Sequence, residues 1–217
     1  QRNYEPYGEL GMVRQSDYDW YAQTGAPNDP QPGNLQGKRE IMRRELFTDP
    51  GNVAFAADSG IWAVSKGSYT VSPEMLGEEA LSLYHLNTIQ PSYMEILVTI
   101  NAAKDRAGYK SNGFVIFAYQ GPNDFKFAGI DVGTDKLQIG YKTETGWVID
   151  EQVPLQLKSG INYDLTVVLY GTVATVWVNE AISLEFDFMN PLNDDGMIGL
   201  ATNNSKATFD DFQVQVL

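Results

Sequence analysis

From about residue 46 onward, short apolar-rich runs follow one another as strand after strand, and Gly, Asn, Asp or Pro separates them at short intervals. Leu165, Val167 and Leu169 alternate with their neighbours, as do Val173, Thr175 and Trp177, and Gly171-Thr172 between the two runs predicts a tight hairpin. Gly60-Ile61-Trp62-Ala63-Val64 and Ser68-Tyr69-Thr70-Val71 predict a second one across Ser65-Lys66-Gly67. Strands are also predicted over 93–100, 114–119, 125–132, 136–141, 146–153, 197–201 and 207–216, where β-branched and aromatic residues crowd together. Helical periodicity is nearly absent. Residues 73–80 allow a turn or two. Lys38-Arg39 and Arg43-Arg44, interleaved with Glu40 and Glu45, predict a short solvated helix over 37–46. About a dozen short strands imply two packed sheets, so the fold class is all-β, a two-sheet antiparallel sandwich rather than a closed barrel.

The sandwich is assigned to 46–217 and an irregular N-terminal arm to 1–45. Pro and Gly punctuate Asn28-Asp29-Pro30-Gln31-Pro32-Gly33-Asn34, which cannot hold regular structure for long. Tyr4, Tyr7, Tyr18, Trp20 and Tyr21 precede it; they either cover apolar surface of the sandwich or dock a partner.

Composition narrows the function. The chain carries 28 acidic and 15 basic residues for a net charge of −13, which makes nucleic acid a poor partner. No cysteine is present, so disulfides, thiolate metal sites and cysteine nucleophiles are excluded. No run of about 18 apolar residues exists, so no membrane insertion by a helix is expected. The start at Gln1 reads as a processed or excised product.

Several segments from Phe55 to Leu217 stand in an order that resembles the concanavalin A-like lectin/glucanase superfamily, in particular laminin-G-like jelly rolls of bacterial extracellular multidomain proteins. They are Trp62-Ala63-Val64 with Gly67-Ser68-Tyr69, then Asn112-Gly113-Phe114-Val115-Ile116-Phe117, then Phe125-Lys126-Phe127-Ala128-Gly129-Ile130-Asp131 and Leu137-Gln138-Ile139-Gly140-Tyr141. Trp147, the 167–179 hairpin, Gly199-Leu200-Ala201-Thr202-Asn203-Asn204 and Phe209-Asp210-Asp211-Phe212 complete the series. The resemblance implies a jelly-roll sandwich outside the cell or on its surface, whose partner is a glycan or a neighbouring protein domain. It also raises calcium: many relatives place acidic ligands at the position of Asp210-Asp211, paired with an acid near the first strand, here Asp49. Capping and turn roles for the same residues stand beside that reading, as they do for Asn193-Asp194-Asp195-Gly196.

Catalytic constellations are incomplete. Glu185 and Asp187 share a strand face, but Asn190 stands where a paired-carboxylate glycosidase strand needs a second Glu. Arg43-Arg44-Glu45-Leu46-Phe47 resembles a lyase strand with Phe47 in place of an Arg, and the lone His85 lacks its companion Gln. The chain therefore reads as non-catalytic. A sugar site would join an aromatic platform to amide and carboxylate groups, because a pyranose has an apolar face and a rim of hydroxyls. Tyr119, Gln120, Asn123 and Asp124, with Tyr141 and Trp147 on the next hairpin, are the candidate ligand-binding residues. A structural or protein-interaction domain is the alternative, favoured if those rings are buried.

Overall fold

The structure is a computed structural model that describes residues 38–103, 107–192 and 196–217. Fifteen strands follow in chain order: β1 Glu40–Glu45, β2 Phe55–Ser59, β3 Ile61–Ser65, β4 Ser68–Ser72, β5 Glu79–Tyr84, β6 Tyr93–Ala102, β7 Asn112–Gly121, β8 Asp124–Asp131, β9 Lys136–Thr143, β10 Gly146–Pro154, β11 Asn162–Tyr170, β12 Val173–Val178, β13 Ile182–Asp187, β14 Met197–Asn203 and β15 Ala207–Val216. No helix occurs among the described residues.

Two antiparallel sheets pack face to face as a jelly-roll sandwich. One has the order β13-β12-β11-β6-β15-β4-β3, with β1 also paired to β15; the other runs β10-β9-β8-β7-β14-β5-β2. Long strands supply the inner faces by strict alternation: Met94, Ile96, Val98 and Ile100 from β6 meet Leu165, Val167 and Leu169 from β11, and Val115, Phe117, Ala128, Ile130, Leu137 and Ile139 come from the facing sheet. The two predicted hairpins form as read. Lys66 and Gly67 both adopt positive φ (54° and 78°), the two-residue turn whose twist matches its strands. Gly171 (φ 62°) opens the β11–β12 turn.

The helix expected over 37–46 is instead strand β1, registered along β15 from Glu40↔Val216 to Glu45↔Phe212. Its charged residues suit an exposed edge, where Arg44 reaches Asp211 at 3.1 Å; Arg39, just before the strand, reaches the buried Glu95 of β6 at 3.0 Å. Strand pairing thus begins inside the stretch expected as arm. The turn of helix allowed over 73–80 is a run of turns and bends that leads into β5. The aromatic residues of the arm and the turn residues 193–195 lie outside the described residues.

Candidate functional site

The face of the seven-stranded sheet turned away from the main core carries a second apolar cluster. Leu81, Phe114, Ile116, Tyr119, Phe125, Phe127 and Ala201 are buried there, with Leu83, Trp147 and Met197 packed against them. The Trp147 ring sits 4.7 Å from Phe127 and 5.4 Å from both Phe114 and Phe125, centroid to centroid. Glycines make room for this layer. A Cβ at Gly140 would stand 2.8 Å from the Phe127 ring and 2.0 Å from the Val148 carbonyl oxygen, and one at Gly129 would stand 2.8 Å from Phe114.

Polar contacts close the layer over. Trp147 donates its indole N–H to Glu79 Oε2 at 2.8 Å, and Lys142 donates to Glu79 Oε1 at 3.2 Å. Between β10 and β5 lie β9, β8, β7 and β14. In a flat sheet those two strands would stand about 24 Å apart, more than a Trp and a Glu side chain can span. The sheet is therefore strongly curved, concave on this face, and its own rings fill the hollow. Tyr119 belongs to the same closure. Its phenol donates to Asp58 Oδ2 at 3.0 Å, and burial, with the Asp58 carboxylate beside it, pushes it up to about 12.

Lys142 is the hub. Its side chain is 9% exposed, and Nζ donates to Asn123 Oδ1 at 2.9 Å and to the Pro122 carbonyl at 3.5 Å besides Glu79. The contact ties the Pro122–Asn123 turn of β7–β8 to the β9 strand end. Beside this turn lies an open cleft of about 600 Å³, lined by Asn123, Asp124, Lys126, Tyr141, Thr143, Glu144, Thr145, Phe188 and Asn190 among others. Tyr141 is exposed at its wall. Lys126 closes another side, its ammonium 5.4 Å from the Phe188 ring centroid.

Of the expected ligand-binding residues, the cleft brings together Asn123, Asp124 and Tyr141. Tyr119 and Trp147 are packed in the second apolar layer, and Gln120 is exposed at the end of β7 without lining the cleft. Lys142, Glu79, Phe188 and Asn190 were not singled out for this site by sequence. Asn190 and Phe188 arrive from the connection after β13, whose nearest sequence signal was the incomplete carboxylate strand.

The expected metal residues do not gather. Asp49 caps its own turn, accepting the Gly51 N–H at 2.9 Å, and Asp210 accepts the Asp211 N–H at 2.7 Å. A bulge in β15 does put Asp211 in a positive-φ conformation (44°), but its Oδ1 accepts from Arg44 and from Gln213. Among the described residues no group of three or more His, Cys, Asp or Glu side chains could hold a metal ion. The residues of the catalytic near-matches have local partners as well. Glu185 accepts the Thr175 hydroxyl, Asp187 caps Met189, Glu45 accepts the N–H groups of Phe47 and Ala54, and His85 bonds Asn87 beside it.

No family model and no curated protein matches this chain in sequence. Solved structures match in shape. A carbohydrate binding module, CBM66, from Bacillus subtilis superposes with a TM-score of 0.64 at 13% identity, covering 75% of this chain and 96% of its own. A Bacillus subtilis protein of unknown function with a galectin-like fold gives 0.61 at 11% identity, over 81% and 96%. Lectin II from Ulex europaeus gives 0.58 at 12% identity, over 81% and 98%. At these identities the likeness establishes the architecture alone: this chain has the jelly-roll sandwich that those lectins and binding modules share.

Proposed function

We propose that the domain is a non-catalytic carbohydrate-binding module, acting outside the cell or on its surface within a larger protein. The observation that carries this reading is the cleft at the β7–β8 and β9–β10 tips. One exposed ring, Tyr141, stands there among hydrogen-bonding groups of Asn123, Asp124, Thr143, Thr145 and Asn190. A sugar ring needs that combination, an apolar face to stack and groups of both polarities for its hydroxyls. The volume falls within the range of small-ligand sites. The fold shared with lectins and binding modules agrees with it.

A glycan array of the purified domain, run once with calcium and once with chelator, tests the reading. Bound glycans unaffected by chelation are the expected result, since Arg44 already neutralises Asp211. Loss of binding with chelator would bring calcium back, with Asp49 and Asp210 as the first residues to change. A blank array would favour a protein-interaction domain instead. One observation supports that second reading: of the three rings expected at the site, Tyr119 is 6% exposed and Trp147 is packed into the second apolar layer.

A further inference from the structure

We propose that Lys142 is the positioning residue of the cleft, holding the Asn123 side chain so that its amide N–H₂ is presented to ligand as a donor. This inference rests on the glycan reading and assigns its polarity at one atom. The Lys142 ammonium has only protons to give, so the group 2.9 Å away from it on Asn123 is the carbonyl oxygen Oδ1. That fixes the orientation of an amide which could otherwise turn over at no cost. Asn123 itself is exposed and lines the cleft, and its Nδ2 has no partner among the described residues.

Lys142 in turn is held from three sides. Glu79 Oε1 accepts from it on the concave face, the Pro122 carbonyl and Asn123 Oδ1 accept from it at the turn, and its stem is buried beside Phe125. Glu79 is anchored by the Trp147 indole. The chain Trp147–Glu79–Lys142–Asn123 thus runs from the filled hollow of the sheet to the rim of the cleft. It also sets a division of labour at that rim. Asp124 and Glu144 offer carboxylate acceptors to sugar hydroxyl protons, and Asn123 supplies a neutral donor to a sugar oxygen.

The test compares the unsubstituted domain, Asn123→Asp and Lys142→Met on one glycan array, with thermal melts of all three. Asn123→Asp keeps an oxygen for Lys142, replaces the donor by a second acceptor and adds one negative charge that the Lys142 ammonium faces. It is expected to melt no lower than the unsubstituted domain and to lose at least tenfold in binding to every glycan that domain retains. Lys142→Met frees the amide to rotate and is expected to weaken the same glycans less than Asn123→Asp does. Undiminished binding by Asn123→Asp would overturn the assignment while leaving the glycan reading intact. A melt lowered in step with lost binding in Asn123→Asp would also overturn it, since the residue would then be structural. If the unsubstituted domain bound no glycan, both would fall together.

Discussion

The Trp147 indole and the Glu79 carboxylate meet at 2.8 Å although their strands, β10 and β5, are not neighbours in the sheet and β9, β8, β7 and β14 run between them. The pair records how far the seven-stranded sheet curls, and it seals a second apolar layer over Phe114, Phe125 and Phe127. That layer removes the hollow of the sheet from service as a ligand platform and leaves the hairpin tips as the open ground.

Changes at this pair separate packing from hydrogen bonding. Trp147→Ala strips the ring from three aromatic neighbours and is expected to cost about 3 kcal/mol in urea unfolding. Trp147→Phe keeps a ring over Phe127 and loses the N–H, with an expected cost of about 1 kcal/mol. Equal costs for the two would show that the ring contacts contribute little.

Two ion pairs, one from Arg39 just before β1 and one from Arg44 within it, give opposite expectations. Glu95 is 2% exposed and is held by the Arg39 guanidinium and the Tyr93 phenol, whose pKa rises through burial first and the nearby carboxylate second. Arg39→Met leaves a buried carboxylate without that cation and is expected to cost about 3 kcal/mol. Arg44 and Asp211 pair in the open, with side chains 46% and 43% exposed, so Arg44→Met is expected to change stability by less than about 1 kcal/mol. Equilibrium unfolding of both variants checks the contrast.

Tyr141 separates binding from stability. Its ring is exposed at the cleft, so Tyr141→Ala is expected to leave unfolding within about 0.5 kcal/mol of the unsubstituted domain. Binding to array-positive glycans is expected to drop at least tenfold, equivalent to about 1.4 kcal/mol. Retained affinity would remove Tyr141 from the site.

The strands were legible where side chains voted alike. β11 and β12 are runs of β-branched and aromatic residues joined by Gly171, and the structure pairs them residue by residue from Leu165↔Val178 to Tyr170↔Val173. β1 was misread because Lys, Arg and Glu are good helix formers, and only its partner β15 makes it a strand. The cleft was half legible. Asn123, Asp124 and Tyr141 sit in local turn-and-strand patterns that announce themselves, whereas Glu79 and Lys142 are 63 positions apart and meet only because the sheet curls. Nothing local distinguishes Trp147 as a packing residue from Trp147 as a platform. The ring contacts decide it.

Asp150 gives a pH signature. It is half-buried on β10, its Oδ2 lies inaccessible with no hydrogen-bond partner, and burial raises its pKa above the ordinary carboxylate value, with Lys126 pulling the other way. A folded-state pKa above the unfolded one means that the folded state holds this proton more tightly. The stability this contributes is full below the ordinary carboxylate value and is lost as pH rises through the raised one. At neutral pH the charged side chain is therefore a net cost, and Asp150→Asn is expected to melt higher than the unsubstituted domain. Below the ordinary carboxylate range both side chains are neutral, and the two melting curves are expected to converge. Melting temperatures of the pair measured from pH 3 to pH 8 decide it: a gap that stays constant with pH would mean that packing, not charge, separates them, and a lower melt for Asp150→Asn at neutral pH would show that attraction to Lys126 outweighs burial.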